Sequence, residues 1–449
     1  MVQVQSLPFV GDVGATYSLK ESFLHYVWQF QYFNSSGLCT EEGEPVAVFA
    51  TGFHNKHAGP DFVQARVKID GMEWVGCVEL HIYGSDWEAH RHADDAAYEN
   101  VVLHVVWEND KPARRADGSL IPTVVLRNRI HSGLVLRYKT FMHSPDHIPC
   151  ASSLDRVAGI FRLSMAERAF AGRLEEKAAV VMGLLQRNRG DWEETCYQLL
   201  ARSFGFKINA EPFQRLALSL PYRVLRRHGN KLSQIEALLF GQAGFLELRR
   251  GQWPDVYTDV LRREYSFLSK KYGLLSGRLE RAEWKFLRMR PANFPTLRIA
   301  QFASLLMYRQ NIFSCIMEAE NLEALRELFR VKQSDYWRQH YSLGSVSQED
   351  VSALGDASID ALLINAVVPL LVAYGKSQDE PMLVDRAVSI LEKMEPEANS
   401  VTRRWSALGW EAENAVESQG MLELYNNFCL KRRCLDCTIG ASLLKPMPA

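Results

Sequence analysis

The sequence is short of the features that mark secreted and membrane proteins. Eight cysteines in 449 residues are too few and too uneven for a disulfide framework. Five are scattered and three crowd the C-terminal end, which points to a reducing compartment, the cytoplasm. No apolar run reaches the ~20 residues of a membrane-spanning helix. The longest, 361–373 (ALLINAVVPLLVA), contains Pro369 and reads as a buried helix, so no membrane partner is expected. The opening string MVQVQSLPFVGDVG has no basic stretch leading into an apolar one, and no signal peptide is expected from it. There is no G-x-x-x-x-G-K-[ST] string and so no sign of a phosphate-cradling P-loop. An excess of one charge is also missing. The formal net charge is −1, which excludes a wholly basic nucleic-acid binder and a disordered acidic chain.

Segments of the chain do carry the asymmetry that the whole lacks. Residues 1–110 hold 16 Asp/Glu against 5 Lys/Arg, and residues 221–290 hold 15 Lys/Arg against 7 Asp/Glu. An acidic N-terminal part suits a metal site, and a basic helical part suits an anionic polymer such as nucleic acid. The plain alternative is ordinary solvated faces. A hydrophobic content of 47% is ample for two or three domains.

The periodicity changes near residue 150. Residues 1–150 read as mixed α/β, and residues 151–449 as a helical region with apolar residues at three- and four-residue spacing. Ser18–Phe33 predicts a helix with Ser18 as N-cap and Glu21 at the capping-box position. Val46–Ala50, Phe62–Ile69 and Glu73–Tyr83 read as strands. Asp70-Gly71 is a tight-turn signal that joins the last two into a hairpin. His90–Asn100 reads as a short helix, Val101–Trp107 and Thr123–Arg127 as strands, and 131–152, with Pro145 and Pro149, as a connector. The fold class is therefore α+β, a mixed sheet flanked by helices and followed by a large all-α region.

The hairpin concentrates the chemistry. On its return strand Val78, Leu80 and Ile82 point one way, and Glu79 and His81 the other. Asp61, directly after Gly59-Pro60, opens the partner strand and so comes beside Glu79 and His81. Two carboxylates and an imidazole on one face can hold a divalent cation, and an oxygen-rich set suits Mg²⁺ or Mn²⁺. The bland reading has Asp61 shaping a turn and Glu79 and His81 forming a hydrogen-bonded pair.

The order helix, strand, strand with Pro-Asp, turn, strand with Glu-x-His, helix, strand resembles the PD-(D/E)XK restriction-endonuclease-like nucleases over roughly residues 18–127. The resemblance implies that Asp61 and Glu79 are metal carboxylates, that Glu21 is the acid on the first helix, and that the substrate is DNA or RNA. It departs at His81, which stands where the family has Lys. Asp94 and Tyr98 take the place of the Gln-x-x-x-Tyr pair of exonuclease-type members. Without the Lys, the other reading is an inactive nuclease-like scaffold that binds nucleic acid or protein. The whole chain also resembles an uncharacterised bacterial family, domain of unknown function 2851. The strings AGPDF (58–62), VELHIYGSDW (78–87), HRHADDAAYENVVLHVV (90–106), RPANFPTLRIAQ (290–301) and CLKRRCLDCTIG (429–440) carry that resemblance.

Three further patterns stand apart. His90, His92 and Asp94-Asp95 (HRHADD) resemble the zinc-binding string of metallo-β-lactamase-like hydrolases, with Asp95 in place of the last His. With His54 and His57, these histidines could instead line a groove and contact phosphate. Cys429-x4-Cys434-x2-Cys437, with Cys150 as a fourth ligand, could hold Zn²⁺ or an iron–sulfur cluster. The plain reading is three reduced thiols at a helix end. Cys39, Cys77, Cys196 and Cys315 read as core residues. Arg288, Arg290 and Arg298 flank a loop that either grips phosphate or braces two domains, and the packing residues Trp284, Phe286, Phe294 and Leu297 favour the brace. The tract 223–231 (RVLRRHGNK) is a further phosphate candidate.

Overall fold

The turn at Asp70-Gly71 sets the geometry of everything around it. Both residues take positive φ, 46° and 80°, the conformation that a two-residue hairpin turn demands and that glycine adopts without penalty. The computed structural model, which describes residues 19–247 and 254–445, places β3 (Phe62–Ile69) and β4 (Met72–Tyr83) on either side of this turn. Ile69 pairs with Met72 and Phe62 with Val78. β1 (Val46–Ala50) and β2 (Phe53–His54) pair antiparallel with β3. On the other side β4 runs parallel to β5 (Val101–Glu108), and β5 parallel to β6 (Thr123–Val125). The result is a mixed sheet in the order β1-β3-β4-β5-β6, and the protein is α+β.

Helix α1 (Glu21–Gln29) packs on β4, and its Phe23, Leu24, Val27 and Trp28 are fully buried. At about 1.5–3 kcal/mol for each large side chain removed from water, this face holds the helix on the sheet. The expected start is corrected. The N-cap is Lys20, with no side-chain cap, and Glu21 is the first helical residue rather than the third. Ser18 lies outside the described residues. Gln31 falls past the helix end, in left-handed backbone.

Two other expectations from the sequence are corrected. The proposed helix over 90–100 is broken. A short α2 (Asp86–Ala89) ends before Arg91, which is left-handed, and two separate 3₁₀ turns follow at His92–Asp94 and Ala96–Tyr98. Asp95 between them is extended, so Asp94 and Tyr98 share no helix face. The connector 131–152 contains α3 (Ser132–His143), whose Leu134, Val135, Tyr138 and Phe141 recur at helical spacing and are buried.

The chain forms two compact units. One comprises the chain up to Ala166 with residues 407–409 and the chain from Leu422 onward. The other comprises Glu167–Ser406 and Trp410–Met421. The C-terminal cysteines thus belong to the sheet unit. Among the described residues the second unit is helical apart from one small hairpin, His340–Ser342 with Ser345–Val346. Its 23-residue helix Asp356–Gln378 is long and apolar enough to cross a membrane, but 67% of that window is buried inside the protein. A π-helical turn at Leu363–Val367 precedes Pro369, which has no N–H to donate within a helix. Run 361–373 is therefore the core helix that the sequence reading expected.

Arg298 braces its own unit, while Arg288 and Arg290 of the same loop are exposed. Arg298 is only 5% exposed. It donates to Gln301 Oε1 (2.9 Å), Asn293 Oδ1 (2.7 Å) and Ser358 Oγ (3.2 Å) and lies 4.6 Å from the Phe206 ring centre. In the tract 223–231, Arg226 and Arg227 lie over the rings of Tyr222 and Tyr272, and His228 bonds Gln234 and Tyr272.

A candidate metal centre

Four elements converge on one face of β4. The period-two reading of this strand holds, but both its faces are covered. Glu79 is 5% exposed and His81 1%, so the pair is a buried site and not an open one. Asp61 and Glu79 clasp each other through backbone. The Asp61 N–H donates to Glu79 Oε2 (2.9 Å) and the Leu80 N–H to Asp61 Oδ2 (3.0 Å). These bonds fix both carboxyl groups against the hairpin, as preorganised ligands require.

Helix α1 brings Glu21 and, four residues on, His25 to the same place, because residues at that spacing share a face. His25 Nε2 stands 3.1 Å from Asp61 Oδ2. Glu21 is half-buried and its carboxyl titrates above the ordinary range, through burial first and Asp61 second. The segment after α2 supplies His90 and His92. The candidate ligand atoms of His81, His90 and His92 all lie within 4.8 Å of one another. His92 Nε2 is 3.4 Å from Glu79 Oε1, and His81 Nε2 is 3.7 Å from the same oxygen. Tyr98, taken from the sequence for another reason, still reaches the site: its ring stacks on His92 at 3.9 Å.

Behind His81 lies His104 of β5, fully buried, with Nε2 at 2.9 Å from His81 Nδ1. His81 Nε2 is in turn 3.2 Å from His90 Nδ1. Three imidazoles thus form a row from the core outward. Burial and the neighbouring imidazoles push His81 down to about 2 and His104 down to about 3, so both rings are neutral at pH 7. Burial and the Asp61 carboxylate push Glu79 far above the ordinary carboxylate range. Burial, with Glu79 and Asp61, pushes Tyr98 up to about 12.

Among the described residues, the group whose ligand atoms lie close enough together to hold one ion is His81, His90 and His92, with Asp61 and Glu79 beside it. Buried His25 Nε2 and His92 Nε2 face carboxylates at 3.1 and 3.4 Å yet make no hydrogen bond to them. Buried groups are otherwise almost always bonded, so these nitrogens need a partner. The imidazoles shift the preference from Mg²⁺ toward Mn²⁺ and other nitrogen-accepting metals.

The remaining sequence candidates fare differently. His54 stacks on Phe62 and edges toward His25, while His57 is exposed. From HRHADD the fold uses the two histidines only. Asp94 is exposed and Asp95 accepts the Ala97 N–H. Of the four supposed core cysteines only Cys196 is buried; Cys39 is exposed, and Cys77 and Cys315 are intermediate. His25 and His104 were missed. The signals were a histidine one turn after Glu21 and a lone histidine inside the apolar run VVLHVVW.

No curated protein and no solved structure matches the chain. The family model described as "Protein of unknown function (DUF2851)" matches residues 21–400, a span that holds α1, the sheet and most of the helical unit, and the chain belongs to that family.

Proposed function

We propose that the protein is a metal-dependent phosphodiesterase acting on nucleic acid, with Asp61 and Glu79 as the metal carboxylates. The supporting observation is a buried acid, Glu79, clasped to Asp61 and flanked by His81 and His92, with the buried Nε2 atoms of His25 and His92 making no hydrogen bond. A buried carboxylate is costly unless a cation accompanies it. Glu21, His25 and His92 complete the set on three sides.

A divalent ion bound there, Mn²⁺ or Mg²⁺, supplies Lewis acidity and a more acidic water. The chain's own part is positional. The Asp61 and Leu80 amides fix the carboxyl groups. His104 orients the His81 ring through Nδ1. Neutral His81 offers Nε2 to position that water rather than to deprotonate it, and His90 Nδ1 stands 3.2 Å from the same nitrogen. Tyr98, a neutral phenol at pH 7, donates a hydrogen bond to a phosphate oxygen.

The test is cleavage of single- and double-stranded DNA and RNA by the full chain with Mn²⁺, Mg²⁺ or EDTA. Metal-dependent products are expected, and Asp61→Asn and Glu79→Gln should each cut the rate at least ~100-fold, about 2.7 kcal/mol, with the thermal transition retained. Cleavage that survives both substitutions, or that needs no metal, would falsify the reading. One observation favours an inactive scaffold instead: both nitrogens of His81 already face other imidazoles, and no permanent cation stands there. A scaffold binds nucleic acid equally in EDTA, with steep salt dependence and no product.

A further inference from the structure

The two oxygens of Glu79 have different neighbours. Oε2 accepts the Asp61 N–H. Oε1 lies among imidazoles, 3.4 Å from His92 Nε2 and 3.7 Å from His81 Nε2. His81 Nε2 is in turn 3.2 Å from His90 Nδ1. Four donors on one tetrahedral zinc ion, each at about 2.0–2.1 Å from it, stand about 3.3–3.4 Å apart. The three distances scatter around that value. Asp61 serves other partners: its Oδ2 accepts the Leu80 N–H and stands 3.1 Å from His25 Nε2. One nitrogen of the imidazole group is unsatisfied. His92 is only 9% exposed, and its Nε2 makes no hydrogen bond among the described residues although donors and acceptors surround it. A buried polar atom in that state calls for a partner.

The backbone brings these side chains together. Residues two apart on a helix do not face each other. His90 and His92 meet because Arg91 between them takes left-handed backbone (φ 59°), which a non-glycine residue adopts at a cost. Gly84, between β4 and α2, allows a close approach to the chain after β5, since a Cβ there would stand 2.3 Å from Lys111 O. Trp87 of α2 is buried and donates from its indole N–H to Arg114 O (2.8 Å). Its ring meets His92 edge-on at 5.3 Å, and Tyr98 stacks on His92 at 3.9 Å. His81 is set by His104, whose Nε2 lies 2.9 Å from His81 Nδ1. A hydrogen bond to the far nitrogen is what holds a metal-bound histidine in its orientation. His90 is exposed, and it opens the way in for an ion.

We propose that His81, His90, His92 and Glu79 Oε1 form a four-donor site for a tetrahedral divalent cation, Zn²⁺. Three imidazole nitrogens and one carboxylate oxygen suit zinc, whereas Mg²⁺ demands six oxygens in octahedral array. A row of hydrogen-bonded imidazoles explains the 3.2 Å between His81 and His90 equally well, but it leaves His92 Nε2 without a partner. An ion satisfies all three rings and the Glu79 charge at once. The site shares only Glu79 with the carboxylate position proposed above, and it stands whether or not the protein cleaves nucleic acid. With zinc bound, His81 acts on water by way of the ion it holds.

The probe is Co²⁺, which takes zinc sites and reports their geometry in the visible spectrum. The full chain, stripped of metal and titrated with Co²⁺, should develop the intense bands of a tetrahedral ion, and one equivalent of Zn²⁺ should bleach them. His90 is exposed, so His90→Ala leaves the core intact. It should weaken Co²⁺ binding at least ~100-fold, the upper end of what loss of a mere outer-shell partner costs. Asp61→Asn should keep the bands. Wild-type protein that gives no bands, or only the pale spectrum of an octahedral ion, overturns the proposal. So does a His90→Ala variant with unchanged bands, which would put the ion on the carboxylates. A protein with the expected bands and no cleavage of DNA or RNA refutes the nuclease reading and leaves this site in place.

Discussion

Arg298 of the helical unit and Glu79 of the sheet unit are equally buried, each 5% exposed, and the protein treats them in opposite ways. Arg298 is surrounded by neutral acceptors and an aromatic face, and burial lowers it only to about 10. It stays charged at pH 7 and ties the 3₁₀ turn Pro291–Asn293 to the helices on either side. Gln242, fully buried, donates to Leu274 O and accepts from the Tyr265 hydroxyl. Glu79 instead meets another carboxylate and imidazoles that burial keeps neutral. The Arg298 guanidinium finds neutral acceptors within its own unit, although its Nε makes no hydrogen bond. Around Glu79 the neighbours are another carboxylate and imidazoles, and that contrast separates a brace from the candidate ligand set.

The largest effect should come from the sheet unit. Mn²⁺ titrated into wild-type protein should bind, and Glu79→Ala should weaken binding at least ~100-fold, since removal of one ionised ligand from a small set forfeits most of its affinity. His104→Phe should weaken it less, about 10-fold, because His104 only orients His81. If Glu79→Ala binds Mn²⁺ as wild type does, the two regions do not differ in the way described. Arg298→Met sharpens the contrast from the other side. It strands Asn293, Gln301 and Ser358 without their donor, and a loss of ~2–4 kcal/mol is expected in denaturant unfolding. Mn²⁺ affinity should not move. A joint loss of stability and metal binding would show that the two regions are not independent.

Much of this contrast was legible in the sequence, and the part that was not is non-local. Asp70-Gly71 between two alternating runs fixes the hairpin, and period two then puts Glu79 and His81 together with Asp61 beside them. These are nearest-neighbour facts of chain geometry. His104 enters through the parallel pairing of β4 with β5, in which Glu79 is registered with His104. No local spacing encodes that register. The helix expected over 90–100 failed because Arg91 takes left-handed backbone and Asp95 bonds the Ala97 amide, so a side chain competes with the helical pattern. Helix α3 was hidden by Pro145 and Pro149 downstream, although its apolar spacing was present. The cysteine triplet was visible as a spacing, and the burial of Cys150, Cys429, Cys434 and Cys437 appears only in three dimensions.

The smallest expected effect tests whether the helical unit is self-sufficient throughout. Glu236 is buried, accepts from the Ser334 hydroxyl at 2.9 Å and lies beside Tyr257. Burial pushes it up to about 7, against the opposing pull of those hydroxyls. A raised acid binds its proton more tightly folded than unfolded. Stability is therefore full below about 4.5, the unfolded value, falls as pH rises through the window up to about 7, and stays reduced above it. The full shift corresponds to roughly 3 kcal/mol, of which the buried amide of a glutamine forfeits a part. Glu236→Gln should thus stabilise the protein by ~1–2 kcal/mol at pH 8 and by nothing at pH 4. The check is a pair of thermal melts at each pH. An equal shift at both pH values would mean that Glu236 does not titrate in this window and that its neutral partners suffice.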